Sequence, residues 1–217
     1  MEKEKRSDIP FSLVFFMTAL SGALNVYAIK VFGNTVTHHT GNLSNLAINL
    51  FENSYMFGRL LLIVLTFMLG SLGAGLIFDR RGEFYISCYG RALIASGIVL
   101  FIFNFLYGSI VTVYLISFIS GLENGMKLYC QGIKVRFTHM TGYLTDLGVN
   151  LAVVDKDDEA RARVRFYIQS ILAFIFGGIT VYLLMLSLTF SLAIIGLLTA
   201  FSGYRLIKMN KCTCFEK

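Results

Sequence analysis

Charge is what this chain has least of. Only 15% of its 217 residues are charged, while 56% are hydrophobic. Soluble domains carry about 25% charged residues. The shortfall excludes an ordinary soluble enzyme and a disordered chain. Cysteines number four, too few for a disulfide scaffold, and there is one proline and no tryptophan. The sequence also lacks a nucleotide-binding glycine loop, a zinc-protease motif and a nucleophile elbow. No acid, base and nucleophile set is visible. What remains is apolar sequence in long runs, with a mean hydropathy of +0.69.

A bilayer is crossed by helices of roughly 20 apolar residues, because a helix satisfies its own backbone polar groups. Six runs reach that scale: 11–32, 60–78, 89–107, 110–126, 166–186 and 188–207. The first exceeds the roughly 7–15 residues of a signal-peptide core, so it reads as a span. Basic residues set the orientation. With both termini in the cytoplasm, 17 Lys and Arg fall inside and 2 outside. An eight-span alternative, with 35–55 and 137–154 also crossing, gives 12 and 7. Six spans is therefore the expectation, in the plasma membrane and with cytoplasmic termini. The net charge of +6 becomes an orientation signal. Its bases are scattered over four segments, which argues against a nucleic-acid surface.

The chain repeats itself. Thr37–Leu50 and Thr138–Leu151 are identical at 8 of 14 positions, at a constant offset of 101. Upstream, Ser21, Gly22 and Asn25 match Ser120, Gly121 and Asn124. Downstream, Phe67 and Gly70 match Phe174 and Gly177. Each copy holds three spans, and an odd number turns the second copy upside down. The expected fold is all-α and polytopic, a 3+3 inverted-topology repeat with two shorter broken or re-entrant helices. It forms a single membrane domain over 1–217, with one repeat at about 11–108, the other at about 110–207, and a cytoplasmic tail from 208 to 217.

Each motif predicts a helix beginning at its threonine-glycine pair, Thr40-Gly41 or Thr141-Gly142. Leu43, Leu46, Ala47, Leu50 and Phe51 share one face, opposite Asn42, Asn45 and Asn49. In the second copy the polar stripe is Tyr143, Asp146 and Asn150. Irregular backbone is tolerated at membrane depth only inside protein or along a cavity. Two such helices entering from opposite sides would bring their N-termini together, where free N–H groups suit an anion or a carbonyl-rich solute.

The candidate pathway is therefore Thr40, Gly41, Asn42, Asn45, Thr141, Gly142, Tyr143 and Asp146, with Asn25 and Asn124. All three histidines, His38, His39 and His139, lie in the motifs. His38 and His139 read as loop-stabilising groups or as proton-coupling groups, joined in the latter role by Glu123 within span four. Glu123 also has a structural reading, paired with Lys127 one turn on. No metal site and no cofactor is implied. Gly70, Ser71, Gly73, Ala74 and Gly75, with Gly177, Gly178, Gly196, Ala200 and Gly203, read as helix-packing surfaces or a homo-oligomer contact. Asp155–Arg165 reads as a helical lead into span five, with Asp157/Arg161 and Glu159/Arg163 pairs. The Cys212/Cys214 tail is a weak metal or acylation signal.

The paired motifs resemble the YoaK family of bacterial membrane proteins of unknown function. Thr40-Gly41-Asn42 and the Gly-Leu-Glu-Asn-Gly run at 121–125 carry the likeness, which covers about residues 12–207. The family pattern has Asp near Asn25 and Gln near Glu123, so this chain departs from it at both. The resemblance implies a six-span bacterial membrane protein and no particular substrate. From the residues, the leading expectation is a secondary transporter or channel-like permease for a small polar or anionic solute. The alternatives are a non-transporting scaffold or sensor with a cytoplasmic partner, and a small intramembrane enzyme.

Overall fold

The computed structural model describes residues 9–78, 85–126, 128–155, 157–187 and 190–213. Helices dominate: α1 (Phe11–Phe32), α2 (His39–Glu52), α3 (Ser54–Phe78), α4 (Tyr85–Phe103), α5 (Ile110–Asn124), α6 (Met140–Leu151), α7 (Asp158–Ser187) and α8 (Ser191–Thr213). Five of them, α1, α3, α4, α7 and α8, are long and apolar enough to cross a membrane.

The fourth expected span is shorter than its apolar run. At 15 residues, α5 extends only about 22 Å, against a hydrocarbon core of roughly 30 Å. Its helix stops at Asn124, and the chain continues into a hairpin of β1 (Leu128–Cys130) and β2 (Ile133–Val135). Gln131 and Gly132 turn this hairpin with φ of 50° and 79°, the left-handed values that a two-residue turn needs. The Ile9 amide donates to the Tyr129 carbonyl at 2.8 Å, fastening the hairpin to the start of α1.

Three helix pairs build the bundle: α1 lies along α7, α3 along α5, and α4 along α8. Small residues set each pair. A Cβ at Gly22 would overlap the Phe174 carbonyl, and one at Gly177 the Ala19 carbonyl. On the other side, Gly70 faces the Phe118 carbonyl and Gly121 that of Phe67. In the third pair Gly90 opposes Gly203 and Gly97 opposes Gly196, so α4 and α8 run antiparallel. Contacts of Phe15 with Phe166 and of Lys30 with Tyr182 make α1 and α7 parallel. Ser117 Oγ donates to the Ile63 carbonyl at 2.7 Å and Ser71 Oγ to the Gly121 carbonyl at 3.0 Å, so α3 and α5 are parallel too.

The buried apolar residues gather at the two ends. One cluster joins the start of α1 to the hairpin and the start of α7, around Val14, Phe137 and Phe166. The other joins the end of α1 to α5 and α8, around Tyr27, Ile116 and Leu192. Outward faces of α3 and α7 are equally apolar, for example Leu72, Leu76, Phe176 and Leu183. Such a surface is stable against lipid rather than water.

Two local expectations change. The motif helices begin at His39 and Met140, so Thr40 and Thr141 lie inside them rather than capping them. Within the lead into α7, Glu159 pairs with Arg163 at 2.9 Å, but Arg161 pairs with Asp158 at 3.1 Å. Asp157 instead accepts the Glu159 amide at 2.8 Å, because its place before the helix offers it a free N–H.

Candidate functional site

The first motif folds back into the bundle. After Gly33, whose φ of 72° ends α1, the chain returns along that helix. The Val36 amide donates to Asn25 Oδ1 at 3.2 Å, in a buried bond. Asn25 is seven residues short of the end of α1, so Val36 lies about 10 Å below that end. His38 then reaches the ring of Phe174, with centroids 5.4 Å apart, and His39 that of Phe67 at 4.2 Å. These phenylalanines sit midway along α7 and α3. From there α2 turns back and packs on α3.

The loop is tied by its own polar groups. The Asn42 amide donates to the Thr35 carbonyl at 2.8 Å, and the Thr35 hydroxyl to the His38 carbonyl at 2.6 Å. Asn42 is thereby the buried residue of α2. Leu43, Leu50 and Phe51 face outward, as do Thr40, Gly41 and Asn45. The apolar face of α2 thus lies outside and its asparagine inside, the reverse of a helix on a water-soluble core.

The second motif repeats the plan on α7. Tyr143 is buried, its hydroxyl accepts the Arg136 amide at 2.9 Å, and its ring meets Phe166 and Tyr167. Burial, only partly offset by that hydrogen bond, pushes the Tyr143 hydroxyl up to about 12. Thr141 and Asp146 are exposed. Gly142 lies under the His139 imidazole, where a Cβ would strike the ring.

His38 is held below its ordinary pKa, first by burial and then by the charge that His139 would carry. His39 is pushed down to about 4, chiefly by burial. Neither His38 nor His139 caps its helix through the side chain. The first motif's loop thus lies between the α1–α7 and α3–α5 pairs, at the level of their glycine contacts with Phe174 and Phe67.

Several buried polar atoms have hydrogen bonds that are unmade among the described residues. Thr37 and Thr138 hydroxyls, 5% and 2% exposed, are two of these. Ser21 and Ser120, each 1% exposed, are two more. Both pairs are matched positions of the sequence repeat. Asn34 Oδ1, His39 Nε2 and Asn124 Oδ1 are further such atoms. The repeat identities contained these hydroxyls, but only side-chain burial separates them from Thr40 and Thr141. Buried polar groups are nearly always bonded, so each such atom asks for a water or a solute.

The remaining candidates lie elsewhere. Asn25 is used as an acceptor for Val36, while its counterpart Asn124 is free on Oδ1. Glu123 is 6% exposed in the last turn of α5, next to Gly125, which packs on Ala74. Lys127, its expected partner, lies outside the described residues, as do Lys156 and Cys214. Asp146 and Asn150 open onto a separate cavity between the hairpin, α6 and α7. Among the described residues no group of three His, Cys, Asp or Glu is placed to hold a metal.

Long apolar helices around a buried polar seam define a multi-pass helical membrane protein. Over residues 13–204 the chain matches the family described as "Protein of unknown function (DUF1275)", and it belongs to that family. No curated protein and no solved structure matches it.

Proposed function

We propose that the protein is a secondary transporter or channel-like permease for a small polar or anionic solute. The observation that carries this reading is the first motif's loop, folded between Phe174 and Phe67 at the glycine contacts of two helix pairs, together with the unpartnered buried hydroxyls of Thr37 and Thr138. Buried hydroxyls without partners give a polar solute replacements for its lost water.

The same reading holds that α5 completes a sixth span and that the halves form a 3+3 inverted repeat. Three packing relations support this. The contact of α1 with α7 has its counterpart in that of α5 with α3. Gly22 against Phe174 matches Gly121 against Phe67, and Gly177 against Ala19 matches Gly70 against Phe118. Parallel α1 and α7, parallel α3 and α5, and antiparallel α4 and α8 are the directions that six alternating spans require. Positive residues orient the hairpin, α6 and both termini toward the cytoplasm of a bacterial cell, in line with the likeness to the YoaK family. Within the pathway, His38, His139 and Glu123 are the groups for proton coupling. Small residues left outward, such as Gly75, offer a homo-oligomer contact.

Flux into proteoliposomes tests the proposal. Protein-containing vesicles are expected to take up at least one member of a panel of small anions, amides and amino acids faster than empty vesicles. Equal uptake of every member would contradict it.

A further inference from the structure

A second polar site lies apart from the histidines. Between the hairpin, α6 and the first turns of α7 is a cavity of 660 Å³, within the roughly 300–1,000 Å³ of small-molecule sites. Its walls carry Lys134 from β2, Asp146 and Asn150 from α6, and Glu159, Arg163 and Tyr167 from α7. Glu159 and Arg163 bond to one another at 2.9 Å and so largely cancel. Lys134 and Asp146 then present one charge of each sign from different elements. Tyr167 shares the cavity wall with Asp146.

The cavity is joined to the seam by one face of α6. Asn150, Asp146, Tyr143 and His139 follow one another at helical spacing, from the cavity to the start of the helix. The Tyr143 ring bridges them, 5.3 Å from Tyr167 and 6.3 Å from His139.

We infer that this cavity binds a small zwitterion of the α-amino-acid type, its ammonium on Asp146 and its carboxylate on Lys134. The inference rests on the transport reading above and names the substrate class: the cavity is the basin from which solute passes along α6. A lone anion would meet the Asp146 carboxylate, and a lone amine the Lys134 ammonium. Only a molecule bearing both charges answers both walls.

Thermal unfolding of the full chain in detergent, with free L-α-amino acids added singly, tests this. At least one amino acid is expected to raise the melting temperature with saturation. Its decarboxylated amine and its N-acetyl derivative should not. Asp146→Asn and Lys134→Gln should each weaken that binding about tenfold or more, the scale of one charge-assisted hydrogen bond. No shift with any amino acid, an equal shift with the amine or the N-acetyl acid, or unweakened binding in both variants would overturn the inference. Flux separates it from the transport reading. Uptake of another solute without amino-acid binding leaves the pathway and removes the zwitterion. Amino-acid binding without flux of any solute leaves the site and removes the pathway.

Discussion

Thr37, in the first motif, and Asn25, upstream in α1, are both buried polar side chains, but they behave oppositely. Asn25 gives its carbonyl oxygen to the Val36 amide. Asn25→Leu would strand that buried N–H at a cost of about 1–3 kcal/mol, which thermal unfolding in detergent would register as a clear fall. Thr37 and Thr138 offer hydroxyls that no described group uses. Valine has the same shape, so Thr37→Val and Thr138→Val should leave the melting temperature unchanged or raise it. His39 supplies a pH test. Its folded pKa of about 4 lies below the ordinary 6.5, so the unfolded chain takes up the proton first as pH falls. Stability contributed by neutral His39 is complete above about pH 6.5 and declines down to about pH 4. Melting curves across that window should be steeper in pH for the wild type than for His39→Gln. Equal slopes would refute the assignment.

Between helices, packing rests on glycines whose missing side chains admit a neighbour's backbone. Gly70→Ala would drive a Cβ into the Phe118 carbonyl, whereas Gly75→Ala meets nothing within 4 Å. Both lie on α3, so propensity is common to the pair. The first should cost about 1–3 kcal/mol or more through overpacking. The second should be neutral or stabilising. Apparent unfolding temperatures of the two variants decide this.

The elements themselves were largely legible, because apolar runs near 20 residues admit few other structures. Run 11–32 coincides with α1, and Asp155–Arg165 leads into α7 as its charge pattern implies. The end of α5 was not legible, since Met126, Leu128 and Cys130 are as apolar as the helix before them. Their hairpin depends on the Gln131-Gly132 turn and on the Ile9 anchor, a contact remote in sequence. Periodicity found the two faces of α2, and Asn42 of the polar stripe is the residue buried, while Asn45 of the same stripe is exposed. Of the site, the repeated motifs were visible. The choice of Thr37 and Thr138 over Thr40 and Thr141 required knowing which side the loop presents inward.

Taken over the full chain, the proposed arrangement of six alternating spans makes a labelling prediction. Tyr107, in the turn after α4, and Arg161, at the start of α7, are both exposed. In a background without native cysteines, Tyr107→Cys should react with a membrane-impermeant maleimide in intact cells. Arg161→Cys should react only after lysis. Labelling of both from outside would break the proposed topology. The central claim is that solute passes the buried hydroxyls of Thr37 and Thr138. It is tested most directly by flux through proteoliposomes bearing the wild type or the Thr37→Val/Thr138→Val double variant, at matched protein content and confirmed equal melting temperature. The account predicts wild-type uptake of a polar solute that the double variant loses by about tenfold or more, as expected when a polar group loses one partner at each of two contacts. Undiminished uptake by the folded double variant would contradict it.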